Sequence, residues 1–354
     1  MTRTVRLAVT TLVAGVLAAL PAASTAAPSE PRDARAGKGI SRSVVFEVQN
    51  VNGTTVACRP DGDSYRLRGR LVGPRSEVHG ADADRINALV HDTSTGGWFW
   101  NLRKHPRYDY ATQLAARGET SLVLDRLGYD RSPLADGNAT CLGAQADMLH
   151  QVVQKLRSGN YRFTHDENST PSAQHVVVHG HSLGASIAQV EAATYDDVAA
   201  LVLMSWADSG PSQLALDAAS RQSATCLQGK DYAPFATTRG SFRAGLFATA
   251  PGKVQASASR LRNPDPCGDV LSYASNQLTS GLSAGEVEAP VLLLFGGRDA
   301  LTRDGAPRQQ ADSYSSSESV TLHVSKRAGN ALPLEKSAPR TQQRVGDWLD
   351  ATLG

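Results

Sequence analysis

The sequence predicts an α/β protein built on a doubly wound, mostly parallel sheet with an inserted lid. Short apolar runs alternate with segments of helical periodicity over most of the chain. These runs do not alternate between apolar and polar residues, and that pattern is typical of a parallel sheet buried on both faces. Near residues 208–289 the order is interrupted by about eighty Ser-, Gly- and Pro-rich residues, too many for a plain connection. We call this segment the predicted lid.

The predicted elements follow one another in a regular order. Two strand-like runs come first, at residues 43–48 and 65–71. The buried strands are predicted at residues 86–91, 121–125, 176–178, 199–204, 291–295 and 320–324. Helices are predicted among them at residues 108–117, 144–156, 183–193, 307–314 and 341–353. We therefore expect a core in two parts, residues 40–207 and residues 290–354, on either side of the predicted lid.

The first 27 residues have the pattern of a secretory signal peptide. Arg3 and Arg6 form a basic start, residues 7–20 are apolar, and small residues follow to position 27. This apolar stretch is shorter than the roughly twenty residues that span a bilayer, so we expect secretion and no stable membrane anchor. Residues 28–39 are expected to be a flexible N-terminus of the mature chain.

The composition excludes several classes of protein. Lys and Arg together number 36 against 34 Asp and Glu, so bulk charge does not recruit nucleic acid or an anionic membrane. The 41% of hydrophobic residues can bury a large core, which excludes a disordered or collagenous chain. Phosphate-loop, dinucleotide and metal-ligand motifs are absent from the sequence. We therefore expect no cofactor or metal, and a monomer is the expectation for a near-neutral secreted domain.

The four cysteines are an even set in a chain predicted to be exported. No CxxC or Cys/His spacing that would hold zinc is present, so two disulfides are expected. Four cysteines allow three connectivities. We expect Cys58–Cys141 and Cys226–Cys267, because the second pair falls within the predicted lid.

The strongest chemical signal is the sequence GHSLG at residues 180–184. It stands directly after a predicted strand and directly before a predicted helix. A sharp strand-to-helix turn needs small residues two before and two after its apex, because the backbone folds tightly there. The Ser182 hydroxyl would then project at the carboxyl edge of the sheet, where the helix N-terminus offers amides to a developing negative charge.

Four further segments extend this signal into a family pattern. They read ALVHDT at residues 88–93, DRLGYDRS at 125–132, PVLLLFGGRD at 290–299 and AGNALPLE at 328–335. With the GHSLG turn they resemble the α/β-hydrolase family, and more narrowly its secreted esterase- or lipase-like members with a lid. The resemblance extends from residue 87 to residue 353. It implies a serine hydrolase that cleaves a carboxylic ester through an acyl-enzyme.

The resemblance also implies roles for individual residues. Ser182 takes the position of the nucleophile, and the backbone amides of Thr93 and Leu183 would form the oxyanion hole. Asp299 would orient the base, and Asp208 is a second candidate for that acid. The implied ligand is a small ester or a related apolar molecule, whose identity the sequence leaves open.

The sequence departs from the family pattern at the base. Asn330 stands where the catalytic His is expected, and an amide cannot accept a proton from Ser182. His91, His181 and His323 are the candidate replacements, and we expect none of them to reach the hydroxyl. The departure predicts impaired hydrolysis. The alternative function is that of a lapsed or deliberately disabled member of the fold that binds a small ligand or steers a non-hydrolytic reaction.

Two aspartates replace glycines of the family pattern. Asp92 follows His91 next to the expected oxyanion hole, and Asp130 lies in the turn after Gly128. Asp tolerates a positive φ better than most residues, so we expect the fold to be preserved. A carboxylate beside the hole would oppose the charge that the hole stabilises. We therefore expect Asp92 to point to solvent or to pair with an arginine.

Overall fold

The structure, a computed structural model, describes residue 2 and residues 39–165 and 168–354. Its strands are β1 (Ile40–Gln49), β2 (Ser64–Gly73), β3 (Asp82–Val90), β4 (Thr120–Asp125), β5 (Arg162–Phe163), β6 (Ser172–His181), β7 (Ala200–Met204), β8 (Tyr232–Ala233), β9 (Asp265–Pro266), β10 (Val291–Gly296) and β11 (Val320–Ser325). The predicted signal peptide and the predicted flexible N-terminus lie outside the described residues, except for Thr2 and Gly39.

Helices connect most of these strands. The α-helices are α1 (Arg75–Val78), α2 (Tyr110–Ala115), α3 (Leu142–Ser158), α4 (Leu183–Tyr195), α5 (Gln213–Cys226), α6 (Arg239–Leu246), α7 (Gly252–Leu261), α8 (Cys267–Leu271), α9 (Tyr273–Ser283), α10 (Ala306–Ser313) and α11 (Ala338–Leu353). Short 3-10 helices cover Gly97–Phe99, Pro106–Tyr108, Ala284–Glu286 and Leu332–Leu334. Among the described residues no helix is both long enough and apolar enough to cross a membrane.

The central sheet has nine strands in the order β11-β10-β7-β6-β3-β4-β2-β1-β5. The strands from β11 to β4 in this order are parallel to their neighbours, whereas β2, β1 and β5 pair antiparallel at one edge. The parallel strands are those predicted from the apolar runs, with boundaries that differ by a few residues. The prediction of a doubly wound, mostly parallel sheet is confirmed.

The apolar runs are continuous because both faces of the sheet are covered. Along β6, Val176 and Val178 belong to one buried cluster and Val177 to the other. The first cluster is completed by α3 and α4, and the second by α2 and α11. Successive strand side chains point to opposite faces, so each residue of such a strand meets a helix layer.

The predicted lid is joined to the core through buried polar contacts. Arg126 and Asp269 form a salt bridge of 3.0 Å in which both side chains are buried. One carboxylate oxygen of Asp265 accepts hydrogen bonds from the Ser94 amide at 2.6 Å and from the Tyr129 hydroxyl at 3.1 Å. Asp265 and Asp269 lie in the predicted lid, and the other three residues lie in the core. Breaking these contacts would leave charged groups buried without partners, which is costly.

Both predicted disulfides are confirmed. Cys58 is bonded to Cys141, which joins the loop after β1 to the start of α3. Cys226 is bonded to Cys267, which joins the end of α5 to the start of α8 inside the predicted lid. The first bridge therefore constrains the core, and the second constrains only the predicted lid.

We predict that replacing both Cys226 and Cys267 with alanine lowers the free energy of unfolding by roughly 4 kcal/mol, because this bridge closes a long loop of the unfolded chain. Urea unfolding followed by circular dichroism without reductant measures the change. Replacing Cys58 and Cys141 should cost slightly more, since their separation in sequence is 83 rather than 41 residues. A loss below about 1 kcal/mol for the first pair would contradict the loop-entropy argument.

We predict that Asp265 makes the protein less stable as the pH rises towards neutrality. Burial raises the pKa of Asp265 from its ordinary value of 3.8 to about 7, and the negative charge of Asp92 adds to this. The folded state therefore holds this proton more tightly than the unfolded state. The resulting stability is complete below about pH 4 and is lost as the pH rises through 7.

Melting temperatures of the parent and of Asp265→Asn between pH 4 and pH 8 test this prediction. The decline with rising pH should be shallower in the variant, because its side chain does not titrate. Asp217→Asn, at an exposed position of α5, is the matched control and should keep the parental slope. A parental slope in Asp265→Asn would show that folding does not raise the pKa of this carboxyl.

Candidate active site

Ser182 lies at the apex of a tight turn between β6 and α4. Its backbone has φ 50° and ψ −120°, a conformation that few residues other than glycine adopt. A Cβ on Gly180 would lie 2.3 Å from the Cα of Ala185, and a Cβ on Gly184 would lie 2.4 Å from the carbonyl oxygen of Val90. Only glycine fits at these two positions, which explains the sequence pattern.

Ser182 lines a cavity between the carboxyl edge of the sheet and the predicted lid. The Ser182 amide donates to the carbonyl of Met204, the last residue of β7, at 2.7 Å, which fixes the turn against the sheet. Within the described residues the hydroxyl itself has no hydrogen-bond partner. The cavity is lined by polar residues and by Leu183, Trp206, Ala207, Pro211, Ala215, Phe235, Tyr273 and Leu301.

Asn330 occupies the position where a catalytic base is expected. It is fully buried, and its Nδ2 donates to both carboxylate oxygens of Asp299, at 3.3 and 3.1 Å. Its backbone carbonyl accepts hydrogen bonds from the Ser205 hydroxyl at 2.8 Å and from His181 Nε2 at 3.2 Å. Its side-chain Oδ1 has no hydrogen-bond partner among the described residues. Asp299 therefore holds an amide where it would otherwise orient an imidazole.

Asp299 is a buried carboxyl with several donors. Burial raises its pKa to about 6, although hydrogen bonds from the Leu301 amide, Asn330 and Thr302 act in the opposite direction. The second candidate acid, Asp208, is bonded elsewhere. Its carboxylate accepts hydrogen bonds from the side chains of Gln189, Gln310 and Trp206. Of the two candidates, only Asp299 contacts Asn330.

The expected oxyanion hole contains a carboxylate. The Leu183 amide donates to Asp92 Oδ1 at 3.0 Å, and the Thr93 hydroxyl donates to the same oxygen at 3.2 Å. Asp92 is only 4% exposed and forms no ion pair with a described residue. The prediction that Asp92 points to solvent or pairs with an arginine is therefore wrong. The physical reason is that the positive N-terminal end of α4 attracts the carboxylate and supplies the Leu183 amide as its donor.

The second expected oxyanion donor is the Thr93 amide. It has no hydrogen-bond partner among the described residues, and Thr93 lines the cavity together with Asp92 and Ser182. Asp92 thus occupies the Leu183 amide, which is one of the two expected oxyanion donors, and its carboxylate directly precedes Thr93, which supplies the other. The substitution of Asp for Gly after His91 was the sequence signal for this arrangement, but its side-chain direction depends on contacts that the sequence does not reveal.

None of the candidate histidines replaces the missing base. His91 is fully buried, its Nδ1 donates to the Asp92 carbonyl at 2.8 Å, and its Nε2 accepts from the Arg126 amide at 3.2 Å. Burial, aided by the positive charge of Arg126, lowers its pKa well below the ordinary value. Both ring nitrogens are therefore engaged, and the ring is neutral. His323 lies on β11, paired with Leu294 of β10, and has no hydrogen bond to Ser182.

His181 is adjacent to the nucleophile, but its ring points away from the hydroxyl. The ring stacks on Phe99 with centroids 4.2 Å apart, and Nε2 donates to the Asn330 carbonyl. Burial lowers its pKa, so the neutral form is favoured. Its remaining nitrogen, Nδ1, is buried and has no hydrogen-bond partner among the described residues. His181 therefore supports the Asn330 segment and does not contact Ser182.

Asp130 is accommodated in the turn after β4, as the sequence predicted. It adopts a positive φ of 43°, close to the left-handed region. Its carboxylate accepts a hydrogen bond from the side chain of Asn263, which belongs to the predicted lid, at 2.8 Å. This aspartate therefore adds a contact between the core and the predicted lid.

Comparison with solved structures agrees with the fold. A thermophilic esterase from Thermogutta terrifontis superposes with a TM-score of 0.61 at 18% identity, covering 87% of this chain and 100% of that one. A monoacylglycerol lipase from Paleococcus ferrophilus gives 0.57 at 16% identity, covering 77% and 96%. An esterase from Exiguobacterium antarcticum gives 0.58 at 15% identity, covering 86% and 99%.

At these identities the likeness is one of fold. No curated protein matches the chain. The model of the alpha/beta hydrolase family, however, matches residues 88–341, which include every residue of the turn, the Asp92 loop, Asp299 and Asn330. The chain therefore belongs to the α/β-hydrolase family.

Proposed function

We propose that this protein is an exported α/β-hydrolase-fold protein that binds a small ester or a related acyl compound above Ser182 and turns it over poorly or not at all. The observation that carries the proposal is the hydrogen bond from Asn330 to Asp299. The acidic member of an esterase-type site holds an amide in place of a base. Substrate identity stays open.

The missing base opposes rapid acylation. Attack by Ser182 requires a group that takes the hydroxyl proton, and neutral Asn330 has no basic nitrogen. In a well-studied serine protease, removal of the His alone lowers turnover by about six orders of magnitude. The partner-free Ser182 hydroxyl would therefore remain protonated during an encounter with an ester.

The position of Asp92 opposes the same step through its charge. A tetrahedral intermediate would develop its negative charge next to the Leu183 amide, which already donates to the Asp92 carboxylate. Loss of one oxyanion donor costs about 10²- to 10³-fold in turnover, and a negative charge at the same point adds repulsion. The missing base and the occupied oxyanion donor both slow the same step, the attack of Ser182 on the ester.

The cavity nevertheless suits a neutral ligand. Trp206, Phe235, Tyr273 and Leu301 offer apolar surface, and the Thr93 amide offers a donor for an ester carbonyl. The carboxylate of Asp92 disfavours anionic compounds at this point, so a free fatty acid should bind less well than its ester.

The proposal also includes export of the protein from the cytoplasm. The two disulfides support an oxidising compartment outside the cytoplasm. The predicted signal peptide would direct the chain across the membrane, and the two disulfides would form only after export.

A second candidate function is hydrolysis of a carboxylic ester through a Ser182 acyl-enzyme. The strained backbone of Ser182 favours it, because that conformation is the one that presents a nucleophile at this turn. Such a cycle would need Asp92 to leave the Leu183 amide, so that this amide and that of Thr93 could hold the oxyanion. A proton acceptor other than Asn330 would also be required.

We predict that restoring the family residues creates hydrolytic activity. The parent should hydrolyse p-nitrophenyl butyrate no faster than Ser182→Ala within about threefold, whereas Asp92→Gly combined with Asn330→His should gain about 100-fold or more. A fluorophosphonate probe followed by intact-protein mass spectrometry should label Ser182 in the double variant and leave the parent unlabelled.

The single variants separate the two causes. Asn330→His alone should gain less than the double variant, because Asp92 still occupies the Leu183 amide. Asp92→Asn combined with Asn330→His removes the charge but keeps a side chain in place. Its hydrolysis rate should lie between that of Asn330→His alone and that of Asp92→Gly combined with Asn330→His. Rapid labelling of the parent at Ser182, with hydrolysis lost in Ser182→Ala, would establish the second candidate function instead.

We predict that the parent binds ethyl butyrate in this cavity without consuming it. Saturation-transfer NMR should detect the ester on the parent and lose it on Ala215→Trp, because that side chain would fill the cavity. Leu216→Trp, at an exposed position of the same helix, is the matched control and should bind the ester as the parent does. Equal signals from both variants would place the ester elsewhere.

A further inference from the structure

Three possible metal ligands converge at the far end of α4, away from the cavity. His150 lies on α3, Glu191 on the last turns of α4, and Asp197 just after that helix. One ligand atom from each lies within 4.8 Å of the others. The residues come from separate stretches of the sequence, so no local motif predicts the cluster.

The carboxyl of Glu191 lies beside the carboxyl of Asp197, and no cationic side chain is paired with it among the described residues. Glu191 is fully buried, and neither carboxylate oxygen forms a hydrogen bond or an ion pair with a described residue. Asp197 Oδ1 is likewise buried without a hydrogen-bond partner. An unpaired buried carboxylate costs several kcal/mol, and buried charges in proteins are normally paired or bound to a metal. Two such groups side by side therefore favour the binding of a cation.

The surrounding charge also favours a cation. The cluster lies at the C-terminal end of α4, where the helix dipole is negative. The guanidinium of Arg157 is close, but it donates to the backbone carbonyl of Asp197 and not to either carboxylate. His150 Nδ1 contacts Asp197 Oδ2 at 2.8 Å. Of the three candidate ligands, His150 is the one that offers a nitrogen atom.

We propose that His150, Glu191 and Asp197 bind one zinc ion, with water completing the coordination. Zinc accepts imidazole nitrogen and carboxylate oxygen together, whereas calcium prefers six to eight oxygen ligands that this cluster does not supply. Ligand atoms around a tetrahedral zinc lie roughly 3.3 Å apart, so the contact of 2.8 Å between His150 and Asp197 needs only a small adjustment.

Neighbouring side chains hold the ligands in place. The His150 ring stacks on Tyr195 with centroids 3.8 Å apart, and the Tyr195 hydroxyl donates to Asp147. Gln154 donates to Asp197 Oδ2. Such outer contacts orient metal ligands. The His150 side chain is 25% exposed, which gives the ion a path from solvent.

The site has a structural role. Glu191 follows Ser182 by nine residues, or about 13 Å along the helix axis, which is too far for the ion to contact a ligand in the cavity. The ion would join α3 to α4 and so stabilise the helix layer behind the turn at Ser182. The prediction is therefore independent of the proposed function.

Zinc titration of the full chain after dialysis against EDTA tests the proposal by calorimetry. The parent should bind one zinc ion and melt at a higher temperature with zinc than without. Glu191→Gln and His150→Gln should weaken binding about 100-fold or more and abolish the thermal shift. Glu286→Gln and His175→Gln, at exposed positions outside the cluster, are the matched controls and should bind zinc as the parent does.

Glu191→Gln is expected to fold, because its new amide can donate to Asp197 Oδ1, and circular dichroism checks this. If the parent shows no saturable zinc binding, or if both cluster variants bind as the parent does, the proposal is overturned and the two carboxyls share a proton instead. Stoichiometric calcium binding without zinc binding would overturn the assignment of the metal.

Discussion

The close approach of α4 to the end of β3 is the constraint on which the site depends. The backbone of Gly184 lies so near the Val90 carbonyl that no side chain fits between them, and the Ser182 amide is bonded to the end of β7. Three neighbouring strands therefore fix one strained residue. That contact sets the direction of the Ser182 hydroxyl and aims the Leu183 amide at the loop that carries Asp92.

The same constraint explains how the fold accommodates two departures from the family pattern, Asp92 and Asn330. An amide at a helix N-terminus needs an acceptor, and Asp92 provides one where the family pattern predicts an oxyanion. A buried acid needs a donor, and Asn330 provides one to Asp299 where an imidazole would otherwise lie. Each replacement satisfies a buried polar group, so the fold is retained, and under the proposed function catalysis is weakened.

Much of this architecture could be predicted from the sequence because its causes are local or compositional. Continuous apolar runs such as residues 291–295 follow from burial on both faces, and the glycines at 180 and 184 follow from steric crowding at one turn. The disulfide pairing followed from the segment in which Cys226 and Cys267 lie. The direction of Asp92 could not be predicted, since it depends on an amide 91 residues away in the chain.

The sequence by itself determined the fold, the turn at Ser182 and the absence of a histidine at position 330, because each is written in residue type and spacing. Only the tertiary structure decided that Asp92 lies against the Leu183 amide and that Asp299, not Asp208, holds Asn330. It alone brought Glu191 beside His150 and Asp197. These outcomes depend on which polar groups come into contact when segments distant in the sequence pack together, and no local pattern in the chain predicts those contacts.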